Sequence, residues 1–296
     1  MTTLADLVNE IERQLLHHYT APQLDNPSAT FTTAATTVVL STVNSISPGA
    51  ILDCGFELMY VTNWVEGSRT ATVIRGLYGS TARQGATTDL VRINPRISSV
   101  AMIDAIRDEI RSWDERLFAV ETDAVTWGAE DGGVEANPTR DPYRVLSARP
   151  RVSTSTDDYR WIVPELRRSE PSAAFASGYS LHLPPGMRFG ESTVVDVTYA
   201  MPFVISTMAT TTDLETTIGL STTMLEIIKW GVLARIMAGK QEARADAFGT
   251  IRTDLEQSVP ALTPLQVSSQ YKRMRDMAYD TEVRRLLNRY PYRTAG

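Results

Sequence analysis

The chain has 296 residues, 43% of them hydrophobic, with five Trp and eleven Tyr, and a net charge of −6 from 35 acidic and 29 basic side chains. That length holds one large domain or about two average ones, and the composition excludes a disordered chain. Net negative charge argues against non-specific nucleic-acid binding by the body, the single cysteine, Cys54, excludes an intrachain disulfide and a Cys-based zinc site, and no run approaches the ~18–20 apolar residues that cross a bilayer.

Met1–Leu16 lacks a basic stretch followed by an apolar one, so no signal peptide is read and a reducing cytoplasm is expected. Thr2–Leu16 places Leu4, Leu7, Val8, Ile11 and Leu15 at helical spacing, with Thr2 or Thr3 as cap. Pro22, Asn26 and Pro27 end that helix. Ala29–Asn94 is rich in Thr and Val and reads as short strands. These are Thr36–Leu40, Ile51–Asp53 after the turn Ser47–Ala50, a hairpin of Glu57–Val65 and Thr70–Arg75 about Glu66–Ser68, and Leu90–Ile93. Ser98 caps a helix predicted over Val100–Phe118, with an apolar stripe of Met102, Ile103, Ile106, Ile110, Trp113 and Leu117. Its opposite face spaces Asp104, Arg107, Asp108, Arg111 and Glu115 for ion pairs.

Val120–Ser206 returns to strands at Tyr143–Ala148, Tyr159–Val163, Ser180–Leu183 and Thr193–Ala200, around an acidic, Gly-rich loop, Gly128–Asn137. Leu220–Met237 is apolar on most sides and continues, with a bend at Gly239 or Gly249, toward Leu255. Pro260 and Pro264 form a hinge, and a last helix runs from Leu265 to Tyr290.

These segments predict an α+β fold: a helical core of N-terminal, central and C-terminal helices with two inserted antiparallel β segments. In chain order it comprises the first core helix (1–24), β region 1 (25–97), the central helix (98–118), β region 2 (119–207), the later core helices (208–259), and a hinge with a basic docking arm (260–296). A separate-domain arrangement would leave the N-terminal helix with no partner for its stripe.

Polar chemistry is sparse. His17 and His18 are adjacent and point apart, His182 sits in a strand, and metal ligation needs several placed ligands. Ser80 follows a hairpin arm and opens no helix, unlike a nucleophile elbow. No phosphate-cradling glycine motif occurs. The acidic pairs Asp157-Asp158 and Glu130-Asp131 read as solvated loop residues. No catalytic, cofactor-binding or metal-binding residue is therefore expected, and the chain is not read as an enzyme. Two other classes have named tests. A hydrolase with a β-rich substrate module would bring His182 or His17 to both a carboxylate and a Ser. A cell-surface carbohydrate-binding protein would gather Trp64, Trp127 and Trp161 on one exposed face.

The C-terminal segment carries the strongest signal. From Leu265 to Gly296 it has seven basic residues, Lys272, Arg273, Arg275, Arg284, Arg285, Arg289 and Arg293, against Asp276, Asp280 and Glu282, a net of +4, which leaves −10 for the rest. A basic arm on an acidic body is suited to docking into a partner, itself included. The expected docking residues are Tyr271, Arg273, Met274, Arg275, Met277, Arg284, Arg285, Leu286, Arg289 and Tyr290, since Tyr, Met and Arg are favoured at interfaces.

Three stretches carry a family resemblance. Glu57–Thr62, followed by Thr72–Ala82 with Arg75-Gly76 and Gly79-Ser80-Thr81, resembles a hairpin-and-turn pattern of tailed-bacteriophage structural proteins, in which Thr stands at the place of Ser80 and a His follows. Tyr159–Val163, Gly178–Leu183 and Val195–Phe203 are similar to the β region of head-to-tail adaptors of actinobacterial long-tailed phages, and Glu282–Pro291 is similar to adaptor C-termini. The resemblance implies a virion neck protein, assembled in host cytoplasm, that forms a ring of about twelve copies under the portal. It implies contacts with the portal protein through the C-terminal arm and with a stopper or other neck and tail proteins. Genomic DNA would pass through the ring without sequence-specific binding, and no cofactor or membrane is implied. Arg outnumbers Lys, with Lys229, Lys240 and Lys272 the only lysines, which suits a host with a GC-rich genome.

Overall fold

The structure, a computed structural model, describes residues 2–15, 22–43, 46–127, 133–151, 163–184, 192–205, 208–248 and 264–290, with side chains for all of these but 240–248, 264 and 265. The described residues form twelve strands in three sheets and four α-helices: α1 (Leu4–Leu15), α2 (Ser99–Arg111), α3 (Thr222–Phe248) and α4 (Pro264–Arg289). This corrects the expected helical core with two inserted β segments: the chain is β-rich, and one sheet curls into a half-barrel. The expectation took each apolar helix stripe as a sign of a helix partner. A stripe fits a sheet face equally well, and α2 packs on a strand of the half-barrel as well as on α1.

The chain divides into two compact units, each drawn from separate stretches. The first holds Met1–Arg111, Met208–Asp213 and Leu225–Arg275; the second holds Ser112–Thr207, Leu214–Met224 and Asp276–Gly296.

In the first unit β1 (Gln23–Asp25), β2 (Thr37–Val39), β3 (Ile51–Cys54), β4 (Glu57–Val65), β5 (Thr70–Ile74) and β6 (Val91–Ile93) form one antiparallel sheet in the order β1-β6-β3-β4-β5-β2. Alternation along β4 turns Met59 and Val61 to the same core as Leu52, Val73 and Ile93. Burying each such aliphatic side chain stabilises by about 1.5–3 kcal/mol. The residues after the two edge strands bond to each other: Ser28 N–H donates to Val39 O (2.8 Å) and Ser41 N–H to Asn26 O (3.0 Å). Buried Asp25 fastens this seam, accepting from the backbone N–H of Asn26, Thr42 and Val43 and from the Thr42 hydroxyl. Burial alone would raise its carboxyl pKa, but these donors outweigh it and hold the pKa below the ordinary value.

Glu57 is fully buried and takes a two-pronged bond from Arg75, 2.6 Å at each oxygen, plus the N–H of Arg83. Arg75 also donates to the carbonyls of Thr32, Ala35 and Arg83 and lies over the Phe31 ring. The turn Arg75–Thr81 is thereby fixed, with Tyr78 in the left-handed region (φ 54°) and exposed at its tip. Two helices are tied to the sheet by charge. Asp53 caps α2 through Ser99 N–H and Oγ, both at 2.7 Å, and Glu12 of α1 pairs with Arg92 of β6. Thr3 and Asp6 form a reciprocal cap at the start of α1.

In the second unit β7 (Ala119–Trp127), β12 (Thr193–Met201) and β9 (Arg144–Pro150) form a sheet in the order β7-β12-β9. The strands β8 (Val134–Glu135), β10 (Glu165–Arg168) and β11 (Tyr179–His182) form the third sheet, in the order β10-β11-β8. Val125, Trp127, Leu181, Val195, Val197 and Tyr199 meet in its core. Helix α2 stops at Arg111, short of the expected Phe118, because Asp114 turns left-handed (φ 45°) and Trp113 is buried edge-on against Phe203. Except for Val163, the strand expected at Tyr159–Val163 lies outside the described residues, as do residues 128–132 of the acidic loop.

Candidate functional site

The expected docking segment folds as α4, with Pro264 in its first turn, where a missing N–H costs nothing. One side of α4 is engaged with its own chain. In the first unit Ser268 Oγ donates to Ala234 O (2.8 Å) and Tyr271 stacks on Trp230 with ring centroids 5.6 Å apart. Arg275 Nε donates to Glu109 (2.8 Å), and Arg235 bonds the other oxygen of the same carboxylate (3.2 Å). Glu109 is buried in α2, and a side chain at Gly231 of α3 would run into it, so three helices converge on one carboxylate.

In the second unit Tyr279 Oη donates to Trp113 O (3.3 Å) and Tyr290 packs 6.3 Å from Phe118. Glu282 is fully buried and accepts from Arg285 (2.6 and 2.8 Å) and from Ser221 Oγ (2.7 Å). Burial pushes the Glu282 pKa up, but Arg285 and Ser221 more than offset it and the net direction is down. Ser221 Oγ in turn accepts from Met224 N–H, capping α3.

The expected docking residues thus divide. Tyr271, Arg275, Arg285, Leu286 and Tyr290 have partners or burial within their own unit, and Met274 is half-buried. Arg273, Met277, Arg284 and Arg289 are exposed. Among the described residues no carboxylate lies within ion-pair distance of Arg273, Arg284 or Lys272, and Arg289 rests over the Tyr290 ring. Pro260 and Arg293 lie outside the described residues.

The histidine expectation has a specific outcome. Ser180 Oγ donates to Glu170 Oε1 (3.2 Å) and lies 2.9 Å from His182 Nε2. A hydroxyl has one proton, so with Glu170 as its acceptor the imidazole donates to Ser180. A nucleophilic relay needs the imidazole in the middle, accepting from Ser and donating to the acid. Here serine is in the middle and fully buried. The cluster braces β11, with Gly133 (φ +89°) pressed against the His182 ring. His17 and His18 lie outside the described residues. Trp127 is buried in the second unit, Trp64 packs in the half-barrel core, and Trp161 is outside the described residues. Burial pushes the Cys54 thiol up to about 12.

Two clefts accompany these elements. In the first unit Phe56, Gly79–Thr81, Val100, Ile103 and Met208 line about 370 Å³, with Arg83 and Arg107 at its walls, the arginines tied to Asp89 and Asp104. In the second unit a cleft of about 530 Å³ lies between β7 and β8, lined by Asp123, Glu135, Asn137, Val134 and Phe175. Sequence reading missed Asp123. The available signal was its register: it shares the inward side of β7 with Glu121, Val125 and Trp127.

Among the described residues no helix is long and apolar enough to cross a membrane, and no group of His, Cys, Asp and Glu could hold a metal ion. No protein-family model matches the chain, and no curated protein matches it.

Proposed function

We propose that this chain is a virion structural protein, a head-to-tail adaptor that forms an oligomeric ring under the portal of a long-tailed bacteriophage. In this reading it extends the DNA channel and joins head to tail, contacting copies of itself, the portal protein and a stopper or other neck protein. The observation that carries the reading is the two-sidedness of α4. One side is fixed to its own chain through Glu109, Trp230 and Ser221, and the other presents Arg273 and Arg284 to solvent on a chain of net charge −6. A held helix with unneutralised arginines is suited to assembly, because little ordering is left to do on contact. The resemblance of Tyr159–Val163, Gly178–Leu183, Val195–Phe203 and Glu282–Pro291 to head-to-tail adaptors, with that of Glu57–Thr62 and Thr72–Ala82 to tailed-phage structural proteins, suggests the particular assembly. The Glu170–Ser180–His182 order does not favour the hydrolase alternative.

The test is direct. Particles should contain this chain by mass spectrometry, and cryo-microscopy with an antibody label should place it as a ring at the neck. Absence from particles, or a label on fibres or capsid, would reject the reading.

A further inference from the structure

Arg273, Met277, Arg284 and Asn288 follow one another at steps of four, seven and four residues, which puts them on one side of α4. All four are exposed, and Met277 keeps 72% of its surface in solvent. Asp280 shares this side, and the two arginines leave the stripe positive. A bare methionine between unneutralised guanidiniums has the composition of an interface centre.

The cleft of the second unit has the complementary character. Asp123 and Asn137 make no hydrogen bond among the described residues, and Glu135 uses one oxygen for Ser177 N–H (2.7 Å) and leaves the other open. Phe175 and Val134 supply apolar lining, and a thioether packs well against an aromatic edge. Both strands bounding the cleft, β7 and β8, are edge strands, so nothing in their own sheets covers that flank.

We propose that the α4 stripe of one copy docks into this cleft of a second copy. Met277 sits against Phe175 and Val134, and the guanidinium of Arg284 bonds the carboxylates of Asp123 and Glu135. The two surfaces differ, so the contact is heterologous and repeats from copy to copy, closing a ring or extending a filament. The inference rests on the reading that the chain assembles with copies of itself, and it names the contact.

Two reversed variants of the full chain test it: a cleft variant, Asp123→Arg with Glu135→Arg, and a helix variant, Arg273→Glu with Arg284→Glu. Sedimentation velocity at low salt should show wild-type oligomers. Each variant alone juxtaposes like charges and should associate at least about tenfold more weakly. Mixed in equal amounts, the two variants should associate again, because helix and cleft are then opposite in sign at every contact between unlike copies. Circular dichroism checks that both are folded; if the cleft variant is not, Met277→Asp, on an exposed position, must weaken wild-type association by a similar factor. The proposal is overturned if wild type stays monomeric at about 0.1 mM. It is also overturned if folded variants associate as wild type does, or if the mixture does not recover. Wild-type rings that ignore the reversals would remove this contact and leave the neck reading standing. A chain missing from particles would remove the neck reading whatever the mixing result.

Discussion

The half-barrel and the cleft of the second unit use their carboxylates differently. In the half-barrel unit Asp25, Asp53 and Glu57 are all buried and each accepts two or more hydrogen bonds, Asp25 from Thr42 and Val43, Asp53 from the N–H and Oγ of Ser99, and Glu57 from Arg75 and Arg83. In the second unit Glu282 is likewise buried and held by Arg285 and Ser221, but the Asp123 side chain lines a cleft without a hydrogen bond among the described residues, and the Tyr199 hydroxyl is buried in the core with no partner among them, as is the Trp64 indole N–H in the first unit. The buried carboxylates of the half-barrel specify the fold. Those beside the cleft of the second unit contribute little to folding, so they are the ones available to another molecule.

Substitutions at four positions probe that contrast, in order of expected effect. Arg75→Ala leaves the Glu57 carboxylate buried without its counter-ion and should cost about 3–5 kcal/mol in urea unfolding. Arg75→Lys should recover little, since an ammonium cannot span both Glu57 oxygens and three carbonyls. A cost near zero would dissolve the contrast at its strongest point.

Asp25→Asn opens the seam of the half-barrel and should cost about 1–3 kcal/mol. The pKa values of Asp25 and Glu282 are depressed in the folded chain, so their contribution is present above the ordinary carboxylate range and lost as pH falls through the lowered values. Wild type should therefore lose melting temperature on acidification below about pH 4, and Asp25→Asn should lose less over the same interval. Equal slopes would remove Asp25 from the account.

Tyr199→Phe deletes a hydroxyl that bonds nothing among the described residues, and its thermal midpoint should be unchanged or slightly higher. A clear drop would reveal a partner for that hydroxyl. Asp123→Asn should shift stability by no more than about 0.5 kcal/mol, so that any loss of self-association it causes is a surface effect.

Local structure was largely legible in the sequence. The strand Glu57–Val65 was read with its observed bounds, because alternation, a turn and β-branched residues agree there. The ion pairs expected along α2 are present at Arg107–Asp104 and Arg111–Asp108. Partnership was not legible. Strand β1 is three residues long, too short to show a period, and its worth lies in Asp25, whose donors are 17 and 18 residues away. Glu109 gives no sign that two arginines from α3 and α4 will converge on it, since the contact depends on the absence of a side chain at Gly231. The helical core was expected because an apolar stripe announces that it will be covered without saying by what. At the candidate site the basic character of α4 was visible, but which arginines its own chain would neutralise was not, because that depends on carboxylates more than 150 residues earlier for Arg275 and three residues earlier for Arg285.

The interleaving of the two units has a consequence for biosynthesis. A ribosome releases the half-barrel strands early, yet Glu109 waits for Arg275, 166 residues later, and Ser221 for Glu282, 61 residues later. Neither unit matures before α4 is made, and the stripe proposed to dock leaves the exit tunnel after the strands of both units. Under the proposed contact, polypeptides not yet translated through α4 lack its helix half, so synthesis order would guard against premature polymerisation.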